Sequence, residues 1–268
     1  AAVSSPVVTR VIRRRAVVSW ILYDLANVIF TMGVISLYFS LYVRAQVGAD
    51  RADTLLGGIS ALSMGIMFCL SPLLGAMTDR ARRRMPFLVW ATLICCACTA
   101  FMARGPFALS AILFVVANGA YQAGVQFYDS LLPDVTTEAN RGRINGIAVG
   151  LGYFGSYIAV GAGLLMSAKG RDFPFAEYFL FVAIAFLVLA LPCFLFVEEQ
   201  INPNPRSIFT WTAVTESVRQ TIHTLKSGHK YPGLLRFLVG RAFYTDAINT
   251  VILFMSLYTV NIAISTGL

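Results

Sequence analysis

Long apolar stretches, separated by short polar segments, are the dominant pattern along the 268 residues. None of them alternates apolar with polar residues, which disfavours a membrane β-barrel and favours helices. A helix needs about 20 apolar residues to cross a bilayer. Seven stretches approach that length: Val17–Val43, Leu55–Met77, Met85–Met102, Phe107–Tyr128, Ile144–Ser167, Tyr178–Val197 and Leu234–Ile264. The sequence therefore predicts an all-α membrane protein, with the third span the shortest.

One long polar segment divides the chain unequally. Residues 1–197 contain the first six spans and are predicted to form an amino-terminal six-helix bundle. Residues 198–233 open with the helix breakers Asn202–Pro205 and continue with apolar residues three or four positions apart, which predicts a cytoplasmic loop containing an amphipathic helix. Both an interfacial helix and a plain solvated linker helix fit that pattern. Residues 234–268 hold the seventh span, expected to be the first helix of a truncated carboxyl-terminal bundle, so the chain is interpreted as a fragment.

Composition supports the membrane assignment. Hydrophobic residues make up 57% of the chain and charged residues 13%, with a mean hydropathy of +0.72. Soluble proteins contain about 25% charged residues. The net charge of +8 could suggest nucleic acid, but the basic residues are concentrated before span one and after spans two, four and six. This distribution predicts a cytoplasmic amino terminus in a multi-pass protein of the cell (inner) membrane, with anionic lipid headgroups rather than nucleic acid as partners.

The five cysteines all fall within predicted spans. Cys95 and Cys98 have a spacing that metal sites use, but no histidine or second cysteine pair lies near them. Small, polarizable packing residues are the interpretation we favour. No metal ion and no cofactor is expected.

Two aspartates are set inside apolar spans, and each is followed three residues later by an asparagine. Asp24 precedes Asn27 in span one, and Asp246 precedes Asn249 in span seven. A carboxylate at the centre of a membrane helix costs about 2.5–3.5 kcal/mol, so its presence indicates a function. We expect both aspartates to couple transport to a proton or another cation such as sodium. An interfacial role, neutralised by nearby arginines, is the alternative for Asp24.

Amide side chains mark span four as well. Asn118, Gln122 and Gln126 are four residues apart, so they share one helix face, and Asp129 follows just beyond. Polar groups in hydrocarbon must face protein or water, so spans one, four and seven are predicted to converge on one cavity. Hydrogen bonding between neighbouring helices is the alternative for the amides. The candidate substrate and ion-coupling residues are Asp24, Asn27, Asn118, Gln122, Arg241, Tyr244, Asp246 and Asn249.

Two further features carry open alternatives. Arg241 can extend to the membrane interface, pair with a carboxylate or receive an anionic group of a substrate. Span five is rich in glycine, and Gly146-x-x-x-Gly150 predicts a close approach to another helix.

The loop between spans two and three resembles the loop motif of the major facilitator superfamily. It reads Gly75-Ala-Met-Thr-Asp79-Arg80-Ala-Arg82-Arg83-Arg84, with Arg82 where the motif has a second glycine. Asp79 can pair with basic groups across the cytoplasmic mouth and hold one access state, although a plain basic loop is the alternative. The expected cytoplasmic gate comprises Gly75, Asp79, Arg80, Arg83, Arg84, Arg141 and Arg143.

Other stretches narrow the resemblance to the branch of fungal vacuolar amino-acid effluxers and their bacterial relatives. These stretches are Trp20–Asn27, Leu131–Asp134, Asn140–Gly146, Leu151–Gly155 and Arg241–Asp246. The resemblance implies twelve spans in the full protein, alternating access and a cavity lined by spans one, four, seven and ten. It also implies an amino acid or similar small solute as cargo.

Two alternatives to this function remain open. One is a carrier like the sugar:cation symporters, although their acidic pair in span two is absent here. The other is a non-transporting membrane sensor or scaffold that keeps the fold. An enzyme is not expected, because both histidines, His223 and His229, lie in the central loop and not within a span.

Overall fold

A computed structural model of the chain describes residues 13–167 and 173–203, together with isolated positions between 215 and 251. These residues are helical with connecting turns, and no strand occurs among them. The predicted all-α fold class is therefore confirmed.

Each of the first six predicted spans corresponds to helix. Span one comprises α1 (Arg14–Phe30), a π-helical turn (Thr31–Ser36) and α2 (Tyr38–Val47). Spans two to four are α3 (Ala49–Arg80), α4 (Met85–Phe101) and α5 (Phe107–Ser130), and the short α6 (Leu132–Val135) follows. Span five comprises α7 (Arg141–Gly152) and α8 (Phe154–Ser167), and span six is α9 (Phe175–Phe196).

Length and composition allow five of these segments to cross a bilayer: Arg14–Val47, Ala49–Arg80, Phe107–Ser130, Arg141–Ser167 and Phe175–Phe196. The remaining apolar helix, α4, has 17 residues and is the shortest of the six spans, as predicted.

Helix α3 starts six residues before its predicted boundary. Gly48, with φ of 81°, ends α2, and Asp50 lies in the first turn of α3, where a carboxylate complements the helix dipole.

Span one occupies the centre of the described bundle. Within its most apolar window 67% of the residues are buried, compared with 22% to 33% for the other four long segments. Helix α1 packs against α7, α8 and α9, whereas α5 packs against α3 and α4. The outer faces remain apolar and exposed, with Phe68 at 83%, Trp90 at 66% and Leu195 at 74%. Such an exterior suits hydrocarbon rather than water.

Three glycines bring span five against span one: Gly152 and Gly155 lie against α1, and Gly163 lies against the Tyr38 side chain of α2. A Cβ atom added at Gly152 would lie 2.8 Å from an Asp24 carboxylate oxygen, and one at Gly155 would lie 2.7 Å from the Leu25 carbonyl oxygen. The predicted close approach at Gly146 and Gly150 is wrong for the described part of the chain, because an added Cβ there would have nothing within 4 Å. The contact falls on the glycines that face α1 instead.

The central loop and span seven fall mainly outside the described residues. The amphipathic helix, the division at residues 198–233, and the candidates Asp246 and Asn249 therefore stay predictions. Arg241 and Tyr244 are among the isolated described positions, and both are helical and exposed.

Candidate functional site

An aromatic junction connects α1 to α5, although the backbones of these helices do not pack side by side. The rings of Trp20 and Tyr128 stack with centroids 4.6 Å apart. The Tyr128 hydroxyl donates to the Trp20 carbonyl at 3.0 Å, and the Trp20 indole N–H donates to the Tyr128 carbonyl at 3.4 Å. Tyr23 stacks on the other side of the junction, 4.8 Å from Tyr128, and its hydroxyl is 2.7 Å from the Thr92 hydroxyl of α4. Spans one and four therefore meet through large side chains.

This junction places two carboxylates near each other. Asp24 directly follows Tyr23, and Asp129 directly follows Tyr128. Asp24 is half-buried, whereas Asp129 is exposed on the described surface. Asp129 acts electrostatically on Asp24, and the Arg241 guanidinium acts on Asp129 with opposite sign. These interactions link charged side chains of the three spans that were predicted to converge.

Asp24 lies well inside span one. Helix α1 begins at Arg14, three residues earlier than predicted, so Asp24 is ten residues along the helix. At about 1.5 Å per residue it is about 15 Å from the helix start at Arg14 and about 10 Å from Val17, where the apolar stretch begins.

Asn27 continues the polar face of span one. Its side chain is buried, and its carbonyl oxygen Oδ1 has no hydrogen-bond partner among the described residues. One turn later the Thr31 hydroxyl donates to the Asn27 backbone carbonyl and lies 2.9 Å from the Tyr121 hydroxyl of α5. Thr31 also begins the π-helical turn, a feature frequent at functional sites.

The amides of α5 have different environments. The Asn118 amide nitrogen donates to the Ser63 hydroxyl of α3 at 2.8 Å, while its Oδ1 is buried without a described partner. Gln122, one turn further, is exposed. Gln126 is half-buried near Gly75, whose added Cβ would lie 3.8 Å from the Gln126 amide nitrogen. Asn118 therefore joins α5 to α3, and Gln122 is the amide of this face that a solute can reach.

At the predicted gate, Arg84 connects four segments of the bundle. Its guanidinium donates to the Ser130 carbonyl at 2.6 Å and forms an ion pair with Asp134 at 2.7 Å, in which the Asp134 side chain is 2% exposed. The Glu199 carboxylate, beyond α9, accepts from the backbone N–H groups of Arg84 and Met85 at 2.5 and 3.0 Å. Glu199 thereby satisfies free N–H groups at the start of α4.

The other gate candidates differ in exposure and in hydrogen bonding. The Asp79 backbone carbonyl accepts a hydrogen bond from the Asn202 amide at 3.1 Å, and the Asp79 residue is exposed. Arg83 and Arg143 are exposed, and Arg80 is half-buried. Arg141 is also half-buried, and its Nε has no hydrogen-bond partner in the described part of the chain.

Sequence reasoning left three of these residues out of the site. Asp129 ends the polar face of span four, and its Tyr-Asp pair repeats that of Tyr23 and Asp24, a repetition that could have identified it. Asp134 lies in a stretch that carried the branch resemblance. Glu199 has no sequence signal of its own, because its contact with α4 depends on tertiary structure.

Comparison with known proteins gives a family match over most of the chain. The family described as "Vacuole effluxer Atg22 like" matches residues 55–263. An uncharacterized MFS-type transporter, YxiO, of Bacillus subtilis is 26% identical over 93% of the chain and 61% of its own length. An uncharacterized protein of Aquifex aeolicus is 26% identical over 88% of the chain and 55% of its own length. The chain therefore spans about three fifths or less of these relatives, and no solved structure matches it.

Proposed function

Because the chain belongs to the family of Atg22-like vacuole effluxers, we propose that the protein is a secondary transporter that moves a small solute across a membrane by alternating access. The name of the Bacillus relative, an MFS-type transporter, supports this proposal. Apolar helices long enough to span a bilayer, with exposed apolar exteriors, support an integral multi-pass membrane protein.

The observation that carries the proposal is the pair of carboxylates beside the aromatic junction. Asp24 is about 15 Å along α1, where a charge is costly to place. Asp129, the penultimate residue of α5, directly follows the tyrosine that stacks on Tyr23. Two neighbouring carboxylates repel each other, and a bound proton or cation relieves that repulsion. Asp24 and Asp129 are therefore proposed to couple transport to a proton or sodium gradient, with Asp246 contributing from span seven.

An amino acid fits the charges of this region. A zwitterion offers an ammonium group to a carboxylate such as Asp24 and a carboxylate to a guanidinium such as Arg241. Neutral hydrogen bonds would come from further candidates of spans one, four and seven. These are Asn27, Asn118, Gln122, Tyr244 and Asn249.

The basic cluster at the ends of α3, α4 and α7 is proposed as the cytoplasmic gate. Arg84 supports it from within the bundle, since it connects α4 to Ser130 and Asp134. Asp79 and Arg143 are exposed, so they are available to a partner bundle. The placement of basic residues supports a cytoplasmic amino terminus.

The experiment uses the intact protein in proteoliposomes, with radiolabelled amino acids in one arm and sugars in the other. A pH gradient or a sodium gradient is imposed, and solute accumulation is measured. Accumulation of an amino acid that is lost in Asp24→Asn is the expected result. Asp50→Asn, an exposed carboxylate at the start of α3, is the matched control and should transport normally.

Two outcomes would contradict the proposal. Accumulation of sugars but not amino acids would favour the sugar:cation alternative. Absence of transport of either solute under both gradients, in protein that is folded, would favour a sensor or scaffold.

A further inference from the structure

A groove lies where the start of α1 meets the end of α9, away from the carboxylate pair. Its volume is about 580 Å³, and its lining combines cationic with apolar side chains. The lining residues are Arg13, Arg14, Arg15, Leu195, Phe196 and Glu198.

The groove carries an excess of positive charge. Arg13 forms an ion pair with Glu198 at 2.9 Å, but both side chains are mostly exposed, at 72% and 65%, so the pair is weak. Arg14 and Arg15 are exposed and form no ion pair among the described residues. The start of α1 adds the positive end of a helix dipole. An anionic group is therefore the ligand that this end of the groove would attract.

An apolar stripe continues from the groove along α9. Its four side chains are 45% to 74% exposed and recur three or four residues apart, so they share one helix face: Ile184, Val188, Leu191 and Leu195. The stripe covers twelve residues, and its first and last Cα atoms are about 16 Å apart along the helix. One leaflet of a bilayer contributes about 15 Å of hydrocarbon, half of the core. The length of the stripe therefore matches the hydrocarbon thickness of one leaflet.

We propose that this groove is a binding site for an anionic phospholipid. Arg14 and Arg15 hold the headgroup phosphate, and one acyl chain lies along the α9 stripe from Leu195 towards Ile184. The combination distinguishes the site from the general lipid surface, because the charged groove and the apolar stripe meet at Leu195. A free anion would use only the arginines, whereas a phospholipid uses both parts.

The test measures lipid retention by native mass spectrometry of the full chain in detergent. Phosphatidylglycerol and phosphatidylcholine with identical acyl chains are the lipid probes, and inorganic phosphate and glycerol 3-phosphate are the headgroup probes. We expect one phosphatidylglycerol to be retained in preference to phosphatidylcholine. Arg14→Gln/Arg15→Gln should weaken that binding about 30-fold, because each arginine near a lipid phosphate contributes about one kilocalorie per mole.

Two variants separate the site from a general charge effect. Arg51→Gln/Arg104→Gln removes the same charge from exposed positions away from the groove and should retain phosphatidylglycerol like the unaltered chain. Leu191→Gln/Leu195→Gln keeps the charge and should lower retention by removing the acyl contact. Circular dichroism confirms that each variant is folded.

Either of two results would overturn the proposal. One is equal retention of phosphatidylglycerol by the Arg14/Arg15 variant and the unaltered chain. The other is displacement of the lipid by equimolar inorganic phosphate, which would show that the groove binds a free anion.

Discussion

Tyr23 and Tyr128 stack with ring centroids 4.8 Å apart and an angle of 21° between their planes, and each is followed by an aspartate. The stack fixes the register between α1 and α5, and with it the separation of Asp24 and Asp129. Two carboxylates held near each other repel, so under the proposed mechanism the region would change its preferred proton or cation occupancy when the helices separate. The aromatic junction thereby connects helix packing to the charge of the site.

Removing the Tyr128 hydroxyl tests how the junction is stabilised. Tyr128→Phe keeps the ring and loses the hydrogen bond to the Trp20 carbonyl, so the free energy of unfolding should fall by about 1 kcal/mol. Tyr128→Ala also removes both stacked contacts and should cost about 3–5 kcal/mol. Denaturant titration in detergent micelles measures both values. Equal losses in the two variants would show that the stacking contributes nothing.

The charge of Arg241 gives a second prediction. Arg241→Gln leaves Asp129 without the cation that acts on it, and transport should fall about tenfold if that interaction contributes about 1.4 kcal/mol. Arg236→Gln, five residues earlier and also exposed, is the matched control. Normal transport by Arg241→Gln would remove this electrostatic interaction from the mechanism.

The span pattern was predictable because hydrocarbon demands long apolar helices: each of the first six predicted spans falls on helix, and five of them are long and apolar enough to cross a bilayer. Helix α1 extends to Arg14, through residues whose polarity suggested a loop. Asp129 was left out of the site because its position at the end of a span resembles an ordinary interfacial residue. Only the stacking of Tyr128 on Tyr23 reveals that it lies beside Asp24.

The gate shows a different limit of sequence reasoning. A motif predicts which arginines belong to the gate, but it does not predict which residues each arginine contacts. Arg84 contacts Ser130 and Asp134 because α5 ends and α6 begins beside the start of α4, a tertiary arrangement that no local pattern encodes. For the same reason, the sequence did not show which glycines of span five contact span one.

Breaking the Arg84–Asp134 ion pair should destabilise the bundle. Asp134→Ala leaves a largely buried guanidinium without its carboxylate, which costs about 3–5 kcal/mol of unfolding free energy. Arg83→Ala, at an exposed neighbouring position, should change stability by less than about 0.5 kcal/mol. The double variant Arg84→Met/Asp134→Leu should recover much of the loss, because no unpaired charge remains. A loss for Asp134→Ala no larger than that for Arg83→Ala would contradict a structural role for the pair.

The glycines of span five predict effects of opposite sign within one segment. An alanine at Gly152 would press on the Asp24 carboxylate and one at Gly155 on the α1 backbone, so each should cost about 1–3 kcal/mol. Alanine at Gly146 or Gly150 meets open space in the described part of the chain and should stabilise the helix by about 0.5–1 kcal/mol. Unfolding free energies of the four single variants, measured side by side, check the contrast. Gly152→Ala should in addition lower transport, because the displaced carboxylate is a proposed coupling group, whereas Gly150→Ala should not. Destabilisation at Gly146 and Gly150 as large as that at Gly152 and Gly155 would show that the contact with α1 is not what sets these glycines apart.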